Sequence, residues 1–319
     1  MSQNPEIIYQ APLQGFTDFT YRNVFQEVYG GISKYFIPYL SYIRGKEIKK
    51  SLLKEILPEN NKALPAVPQV LFSNTTELFE LVSILVDNGY KEINLNLGCP
   101  YPMATNRGRG AAWLDKPEDL IETLQQLFAK EFPTKFSVKM RAGMKNNQDF
   151  KPVLGILDKF PLSEIIFHPR TANQMYDGKA DPSLFAEALS LTKHPLVYNG
   201  DIFSEADFLE LKTILPDQKS WMTGRGLLMD PSLALRLNGM ELEMDTKLRK
   251  QKLKEFHDRL FQEYSERLQG SGHFLMKMNQ FWSYFCESFE NPHKAMKLVK
   301  KSSNVLKYNA AVVEIFRDL

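Results

Sequence analysis

The stretch AVPQVLFSNTTELFELVSILVDNGYKEINLNL (residues 66–97) contains one complete strand, helix and strand pattern. Its first run, AVPQVLF, and its last, EINLNL, are short and apolar, as buried strands are. Between them, TTELFELVSILVDNGY spaces its apolar residues as an amphipathic helix does and opens with a residue suited to a helix start. Two strands joined by a helix in this way predict a parallel βα unit.

The same alternation recurs over about the first 240 residues of the chain. Eight strands with helices between them fit an α/β fold of the (β/α)8 TIM-barrel type better than an open sheet. The predicted strands are IIYQAPL (8–14), KYFIPYL (34–40), AVPQVLF (66–72), EINLNL (92–97), KFSVKMR (135–141), EIIFH (164–168), PLVYNG (195–200) and SWMTGR (220–225).

Beyond residue 245 the pattern changes to three long helical stretches. They are separated by Gly270-Ser271-Gly272 and by Asn291-Pro292, and both glycine and proline disfavour helix continuation. We therefore expect a C-terminal helical bundle of three or four helices. The sequence predicts two domains, a TIM barrel over residues 1–243 and a helical domain over residues 244–319.

Composition indicates an ordinary globular protein of 319 residues, 43% of them hydrophobic. Two cysteines make no disulfide framework and the polar start lacks a secretory profile, so we expect a cytoplasmic protein. Apolar runs such as LVSILV are far shorter than the roughly 20 residues that span a bilayer, so we expect no membrane segment. The histidines are scattered and no second cysteine lies near Cys99, so we expect no metal site.

Charge is divided unevenly along the chain. The whole sequence carries +2, but residues 247–319 contain 14 Lys and Arg against 8 Asp and Glu, a net +6, which leaves −4 on the rest. A basic segment attached to a mildly acidic body favours a polyanionic partner, and a solvated helix surface explains it equally well.

Polar residues recur where the predicted strands end. In a TIM barrel these carboxyl ends form the active-site face, and so many polar groups are costly to desolvate unless a ligand occupies the mouth. The residues in question are Ala11 to Gly15, Gln69, Asn96, Cys99, Lys139, Arg141, His168, Arg170, Asn199-Gly200-Asp201 and Gly224-Arg225-Gly226.

Two of these strand ends resemble a phosphate-binding cradle. The tripeptides NGD after strand seven and GRG after strand eight offer glycine backbone and the Arg225 guanidinium, and barrels often bind phosphate in these two loops. Either tripeptide alone is commonly just a turn. Lys139 and His168 would then face the ring system of a bound flavin. Taken singly, Lys139 could form a salt bridge and His168 could be a core residue.

Cys99 follows a predicted strand and lies between Gly98 and Pro100, which is an unusual place for an inert buried cysteine. The segment I-N-L-N-L-G-C-P followed by Y-P-M-A-T-N-R-G-R-G-A resembles the signature of the tRNA-dihydrouridine synthases, flavin enzymes that reduce uridines in transfer RNA. The stretches APLQGFTD, VKMRAG, FHPRT, VYNGDI and TGRGLLMDP resemble the family in the same order. The resemblance covers roughly residues 8 to 235. In the tail, only the stretch KMNQFWSYF resembles the family, and it does so weakly. One departure is Pro102, where many members have lysine or another polar residue.

The resemblance implies a role for each matching residue. Cys99 is the expected catalytic acid and Asn96 the residue that holds uracil. FMN is the expected cofactor, and its expected contacts are Pro12, Leu13, Gln69, Lys139, His168, Asn199, Gly200, Asp201, Gly224 and Arg225. Arg141 and Arg170 match positions that handle substrate or flavin. Positive charge, and not the resemblance, makes Arg107, Arg109, Lys297 and Lys301 further expected contacts of the RNA substrate.

The implied reaction reduces the 5,6 double bond of uracil. A hydride passes from N5 of reduced FMN to C6, Cys99 gives a proton to C5 from the opposite face, and NADPH is the expected electron source. A thiol suits this task because its pKa of about 8.5 leaves it protonated near neutrality. The base must be extruded from folded RNA at a cost of a few kcal/mol. Phosphate contacts from the basic tail, Lys297 and Lys301 among them, would offset that cost.

Two alternatives stay open. One is a flavin barrel that reduces a free pyrimidine, as dihydroorotate dehydrogenases do, and the basic tail is evidence against it. The other is an RNA-binding protein without flavin, and the presence of Cys99, Lys139 and His168 is evidence against that. We expect a monomer, and length slightly favours the bacterial class that acts at position 16. In the tail, Trp282 and Phe285 are expected in the core, as is the second cysteine, Cys286.

Overall fold

The computed structural model describes residues 5–43, 47–61, 64–239 and 245–317. Eight parallel strands pair in chain order and the last closes on the first, which confirms the predicted (β/α)8 barrel. The strands are β1 (Ile7–Gln10), β2 (Lys34–Leu40), β3 (Ala66–Val70), β4 (Glu92–Leu97), β5 (Lys135–Gly143), β6 (Ile165–Thr171), β7 (Leu196–Asn199) and β8 (Ser220–Thr223).

Helices follow the strands as the amphipathic patterns predict. Asn74 caps the helix of the opening stretch by accepting from the Glu77 amide at 2.9 Å, because an N-cap side chain satisfies an unpaired N–H. The barrel helices are α1 (Phe19–Val28), α2 (Lys50–Glu55), α3 (Thr75–Asp87), α4 (Pro102–Thr105), α5 (Pro117–Ala129), α6 (Phe150–Leu157), α7 (Pro182–Leu189), α8 (Glu205–Ile214), α9 (Arg225–Met229) and α10 (Leu233–Leu237). Short 3-10 helices cover Pro58–Asn60 and Gly110–Asp115.

An ion cluster closes the amino-terminal end of the barrel. The Lys34 ammonium lies 2.8 Å from Glu92 and 3.0 Å from Glu164, and the Tyr9 hydroxyl donates to Glu164 at 2.9 Å. Above it lies an apolar layer to which six strands contribute: Tyr9, Phe36, Val67, Ile166, Val197 and Met222. Side chains therefore fill the amino-terminal end of the barrel. The open cavity lies at the carboxyl end.

The tail forms four helices, within the predicted three or four. They are α11 (Thr246–Arg267), α12 (Ser271–Phe285), α13 (Pro292–Lys300) and α14 (Val305–Ile315), with a 3-10 turn at Cys286–Ser288. The last sequence pattern is broken between α13 and α14, where Asn304 accepts from the Lys307 amide and starts a new helix. Trp282, Phe285 and Cys286 are buried as predicted.

The tail packs into the same hydrophobic core as the barrel helices. The Phe256 ring of α11 makes edge contacts with Tyr21, Phe25 and Tyr29 of the α1 segment, at centroid distances of 5.4, 5.9 and 5.5 Å. The predicted boundary between residues 243 and 244 lies outside the described residues, so the division into two domains stays a prediction. No helix in the described ranges has the length and apolar character needed to cross a membrane.

Candidate active site

A cavity of about 1070 Å³ opens at the carboxyl ends of the strands. Among the predicted site residues, Arg170, Lys297 and Lys301 do not line it. Those that do line it are Pro12, Leu13, Gln69, Asn96, Cys99, Arg107, Arg109, Lys139, Arg141, His168, Asn199, Gly200, Asp201, Gly224 and Arg225.

A hydrogen-bonded chain of amides crosses the cavity floor and ends at the Cys99 loop. Gln69 donates to Asn94 at 2.7 Å and accepts from Asn96 at 2.6 Å. The Asn96 side-chain oxygen accepts in turn from the backbone amides of Gly98 at 3.0 Å and Cys99 at 2.8 Å. Because each amide in the chain fixes the next, the backbone that carries Cys99 is held rigidly against the barrel.

Gly110 is required for the loop to close over Cys99. Its φ is +61°, which side chains rarely adopt, and a Cβ there would lie 2.7 Å from both the Cβ and the carbonyl oxygen of Cys99. The next residue, Ala111, donates its amide to that same carbonyl at 3.1 Å. The glycine-alanine pair of the motif therefore packs directly on the cysteine.

Burial controls the protonation state of Cys99. Only 8% of the residue is exposed, and this burial raises the pKa of the thiol above its ordinary value, although a Tyr101 backbone hydrogen bond and the nearby Arg141 and Lys139 oppose the rise. At neutral pH the group is a protonated thiol, which can donate a proton.

Lys139 and His168 both line the cavity. Burial and neighbouring positive charges lower the pKa of each side chain. Burial, reinforced by Arg141, lowers the pKa of the Lys139 ammonium to about 7. Burial and the neighbouring cations lower the pKa of His168 well below its usual value, so the ring is neutral. Neither side chain has an ion-pair or hydrogen-bond partner within the described part of the chain, so the salt-bridge alternative for Lys139 is wrong.

The loops after β7 and β8 are joined by one carboxylate. Asp201 lies 2.6 Å from Arg170 and 2.9 Å from Arg225, and it accepts from the Ala180 amide at 3.0 Å. Arg170 is almost fully buried behind the wall, with 1% exposed. Asp201 therefore holds Arg225 in place at the cavity surface.

Aromatic rings hold Arg225 from two sides. Its guanidinium lies 4.4 Å from the Tyr176 ring centre and 5.1 Å from that of Phe203. Arg141 steadies the Tyr176 loop by donating to the carbonyl of Met175 at 2.7 Å, and Met175 has a positive φ of +50°. Such a backbone conformation in a residue other than glycine is uncommon and must be held by its surroundings.

A family model described as dihydrouridine synthase matches residues 9–315. The chain belongs to the dihydrouridine synthase family. It is 26% identical over 239 residues to the tRNA-dihydrouridine(16) synthase of Neisseria meningitidis serogroup A, covering 72% of this chain and 71% of that protein. It is 28% identical over 197 residues to the tRNA-dihydrouridine(47) synthase [NAD(P)(+)] of Candida albicans, covering 56% and 30%.

Among solved structures, the chain is similar to histamine dehydrogenase from Rhizobium sp. 4-9. The TM-score is 0.55 at 11% identity, and the match covers 78% of this chain and 48% of that one. At this identity the similarity shows the barrel fold only.

The structure shows protein partners for both predicted arginines of the Cys99 loop, Arg109 and Arg107. Its guanidinium is buried, forms an ion pair with Glu77 at 2.8 Å and donates to the Tyr42 carbonyl at 2.7 Å. Arg109 therefore stabilises the loop, and its contact with RNA stays a prediction. Arg107 is exposed and donates to the Ile43 carbonyl at 2.9 Å.

Several residues that line the cavity were not among the predicted site residues. Tyr176 and Phe203 lie in loops, where no periodicity marks a functional side chain. Phe16 and Tyr284 also line the cavity, and their rings meet at 5.2 Å. Tyr284 belongs to α12, so the tail contributes to the cavity wall. Lys297 and Lys301 are exposed on the tail away from the cavity.

No group of His, Cys, Asp or Glu residues that could hold a metal ion occurs within the described ranges.

Substituting Gly110 tests how the Cys99 loop is held. We expect Gly110→Ala to displace Cys99 and to increase its alkylation rate severalfold, measured by mass spectrometry of the Cys99 peptide. Gly89→Ala is the matched control, because Gly89 also has a positive φ, +85°, but its Cβ would meet no atom within 4 Å. Equal alkylation rates in the two variants would contradict this role of Gly110.

Proposed function

We propose that this protein reduces uridine to 5,6-dihydrouridine in tRNA, with FMN bound in the cavity and NADPH as electron donor. The observation that carries the proposal is a protonated thiol, Cys99, in the same cavity as Lys139, Arg141 and Arg225. The two relatives described above are named as tRNA-dihydrouridine synthases, and the name of one includes NAD(P)(+), which supports the substrate and the donor.

The charges of the cavity suit an anionic cofactor such as FMN. Lys139, Arg141 and Arg225 line it with Asp201 as a neighbouring carboxylate, and Asp201 is already engaged by Arg170 and Arg225. The unpartnered Lys139 ammonium loses hydration on burial with no counter-charge to offset the loss. A phosphate or an electron-rich ring bound nearby would supply that charge.

Bare backbone in the loops after β7 and β8 suits a phosphate group. A Cβ on Gly200 would lie 2.6 Å from the Tyr198 hydroxyl, and one on Gly224 would lie 3.1 Å from the Ala11 Cβ. A Cβ is therefore excluded at Gly200 and crowded at Gly224, which favours bare backbone at both positions, as close approach of a phosphate requires. Arg225, oriented by Asp201, adds a charged donor beside them.

When bound and reduced, FMN supplies the hydride that adds to C6 of uracil. The Cys99 thiol gives its proton to C5, so one hydride and one proton add across the double bond and leave Cys99 as a thiolate. Arg141 and Lys139 are near enough to lower the pKa of Cys99 against the effect of burial, and they stabilise this thiolate until solvent returns a proton. Lys139 in its charged form also stabilises negative charge on the cofactor ring.

Asn96 has a donor left for the base. Its amide nitrogen carries two hydrogens, and Gln69 takes one of them. The second can donate to a uracil carbonyl, while the Asn96 oxygen holds the Cys99 loop. The Asn96 side chain would thus fix the positions of both the uracil base and the Cys99 thiol.

We assign residues 1–243 to cofactor binding and chemistry and residues 244–319 to tRNA binding, in a monomeric cytoplasmic enzyme. Lys297 and Lys301 are exposed, and neither has an ion-pair partner in the described structure. Unpaired cations of this kind suit RNA phosphates, whose neutralisation releases counterions.

Replacing Cys99 separates proton donation from binding. We expect Cys99→Ala to bind FMN and tRNA normally and to lose at least about a hundredfold in dihydrouridine formation, as removal of a general acid does. Dihydrouridine is measured in unmodified tRNA with NADPH, and Cys286→Ala is the matched control. Equal turnover in Cys99→Ala and the parent would refute the role. Reduction of free orotate or uracil with no change in tRNA would favour the free-pyrimidine alternative.

The lowered pKa of Lys139 predicts a pH dependence of FMN binding. Since that pKa is about 7 without ligand, Lys139 is charged at pH 6 and mostly neutral at pH 8. An anionic ligand favours the charged form, so binding takes up a proton, and affinity falls up to about tenfold per pH unit above 7. Fluorescence titration of the apoprotein between pH 7 and 9 measures this. We expect a flatter profile in Lys139→Met, and an unchanged profile would contradict the assignment.

Charge reversal tests whether the tail binds RNA. We expect Lys297→Glu with Lys301→Glu to weaken tRNA binding and to reduce the slope of log affinity against log salt by about 1 per lysine. The matched control reverses Lys193 and Lys219, which are also exposed and lie in loops at the amino-terminal end of the barrel. If both pairs change the slope equally, the tail has no specific part in binding.

A further inference from the structure

The Asp18 carboxylate contacts side chains from two helices of the tail. It begins α1 by accepting from the Tyr21 amide at 3.1 Å, which is all that an N-cap requires. The same carboxylate also accepts from the Tyr264 hydroxyl at 2.6 Å and lies 3.0 Å from Arg267 and 3.1 Å from Lys277. Three of its four donors therefore come from α11 and α12.

This cluster is partly shielded from solvent and contains more cations than anions. The Asp18 and Lys277 side chains are 15% and 13% exposed. Burial alone would raise the pKa of Asp18, but Lys277 and Arg267 hold it below its usual value, so the group is ionised. Without this charge, Lys277 and Arg267 would lose the barrel carboxylate that attracts both of these tail cations.

The joint continues into the cavity wall through a short turn. Lys277 also donates to the Gly15 carbonyl at 2.6 Å. The Leu13 amide donates to the Thr17 hydroxyl at 2.9 Å, and the Leu13 carbonyl accepts from the Phe16 amide at 3.0 Å, so the turn is closed. Leu13 and Phe16 line the cavity. An ion pair and a hydrogen bond of Lys277 thus connect Asp18 to the turn that forms part of the cavity wall.

Two other contacts between the tail and the barrel are either not directional or not shielded from solvent. The Phe256 cluster is apolar, and hydrophobic attraction is not directional. The Arg259–Glu27 ion pair also joins α11 to α1, but its side chains are 47% and 56% exposed, so it contributes little. Only the Asp18 cluster combines direction, charge and shielding among these contacts.

We propose that Asp18 is a positioning residue that sets the angle at which the tail presents RNA to the cavity mouth. The proposal rests on the proposed tRNA reduction. A loosened joint would present the target uridine to the cavity less often, while the chemistry of a correctly placed base would be unchanged.

The test compares Asp18→Asn, which keeps the N-cap acceptor, with Arg259→Met as the control that breaks the exposed barrel–tail pair. We expect Asp18→Asn to raise KM for tRNA about tenfold, with kcat and FMN content nearly unchanged, since Arg267 and Lys277 lose the carboxylate that they share. We expect dihydrouridine to spread to neighbouring uridines, mapped by position. Arg259→Met should change none of these. Lys277→Met, which leaves the N-cap intact, should act in the same direction.

A charge exchange separates positioning from simple loss of stability. Asp18→Lys combined with Lys277→Asp should reverse part of the KM increase seen in Asp18→Lys alone, because the ion pair between positions 18 and 277 is restored with its charges exchanged. The proposal is overturned if Arg259→Met raises KM equally, if Asp18→Asn lowers kcat or FMN content with KM unchanged, or if the exchange recovers nothing. Should the wild type form no dihydrouridine, the proposed function fails, and tRNA affinities of the same variants still decide the role of Asp18.

Discussion

The active site depends on the side-chain amide of Asn96. Its oxygen accepts from the backbone amides of Gly98 and Cys99, and its nitrogen donates to Gln69 on the neighbouring strand. Because this amide is itself held by a chain of hydrogen bonds inside the barrel, the Cys99 loop has one position. The close contact at Gly110 completes that position, and burial there keeps the thiol protonated.

The cavity keeps cations in an environment that disfavours charge. Burial lowers the pKa of Lys139 to about 7, and burial together with the nearby Arg141 lowers the pKa of His168 so that its ring is neutral. A protein that used these residues only for stability would pair each with a carboxylate, as Lys34 is paired at the other end of the barrel. Lys139, which has no such carboxylate partner within the described residues, is consistent with the anionic ligand that we propose.

The sequence predicts the barrel well because its signals are local. Alternating strand and helix patterns need only a few neighbouring residues, and all eight strands lie where the patterns place them. The polar strand ends meet because parallel strands end on one face. Pairings between distant residues are not local. Arg109 was expected to contact RNA, but its partner Glu77 lies on another βα unit, and Asp18 meets Lys277 from the far end of the chain.

The most direct test of the central claim, that Cys99 is held protonated in the cavity wall, is the pH profile of its alkylation in Cys286→Ala. Since burial raises the pKa of the thiol, we expect an apparent pKa above the ordinary value of about 8.5, with little reaction near neutral pH. A thiol that reacts readily at pH 7 would be a thiolate nucleophile, and this result would contradict the account.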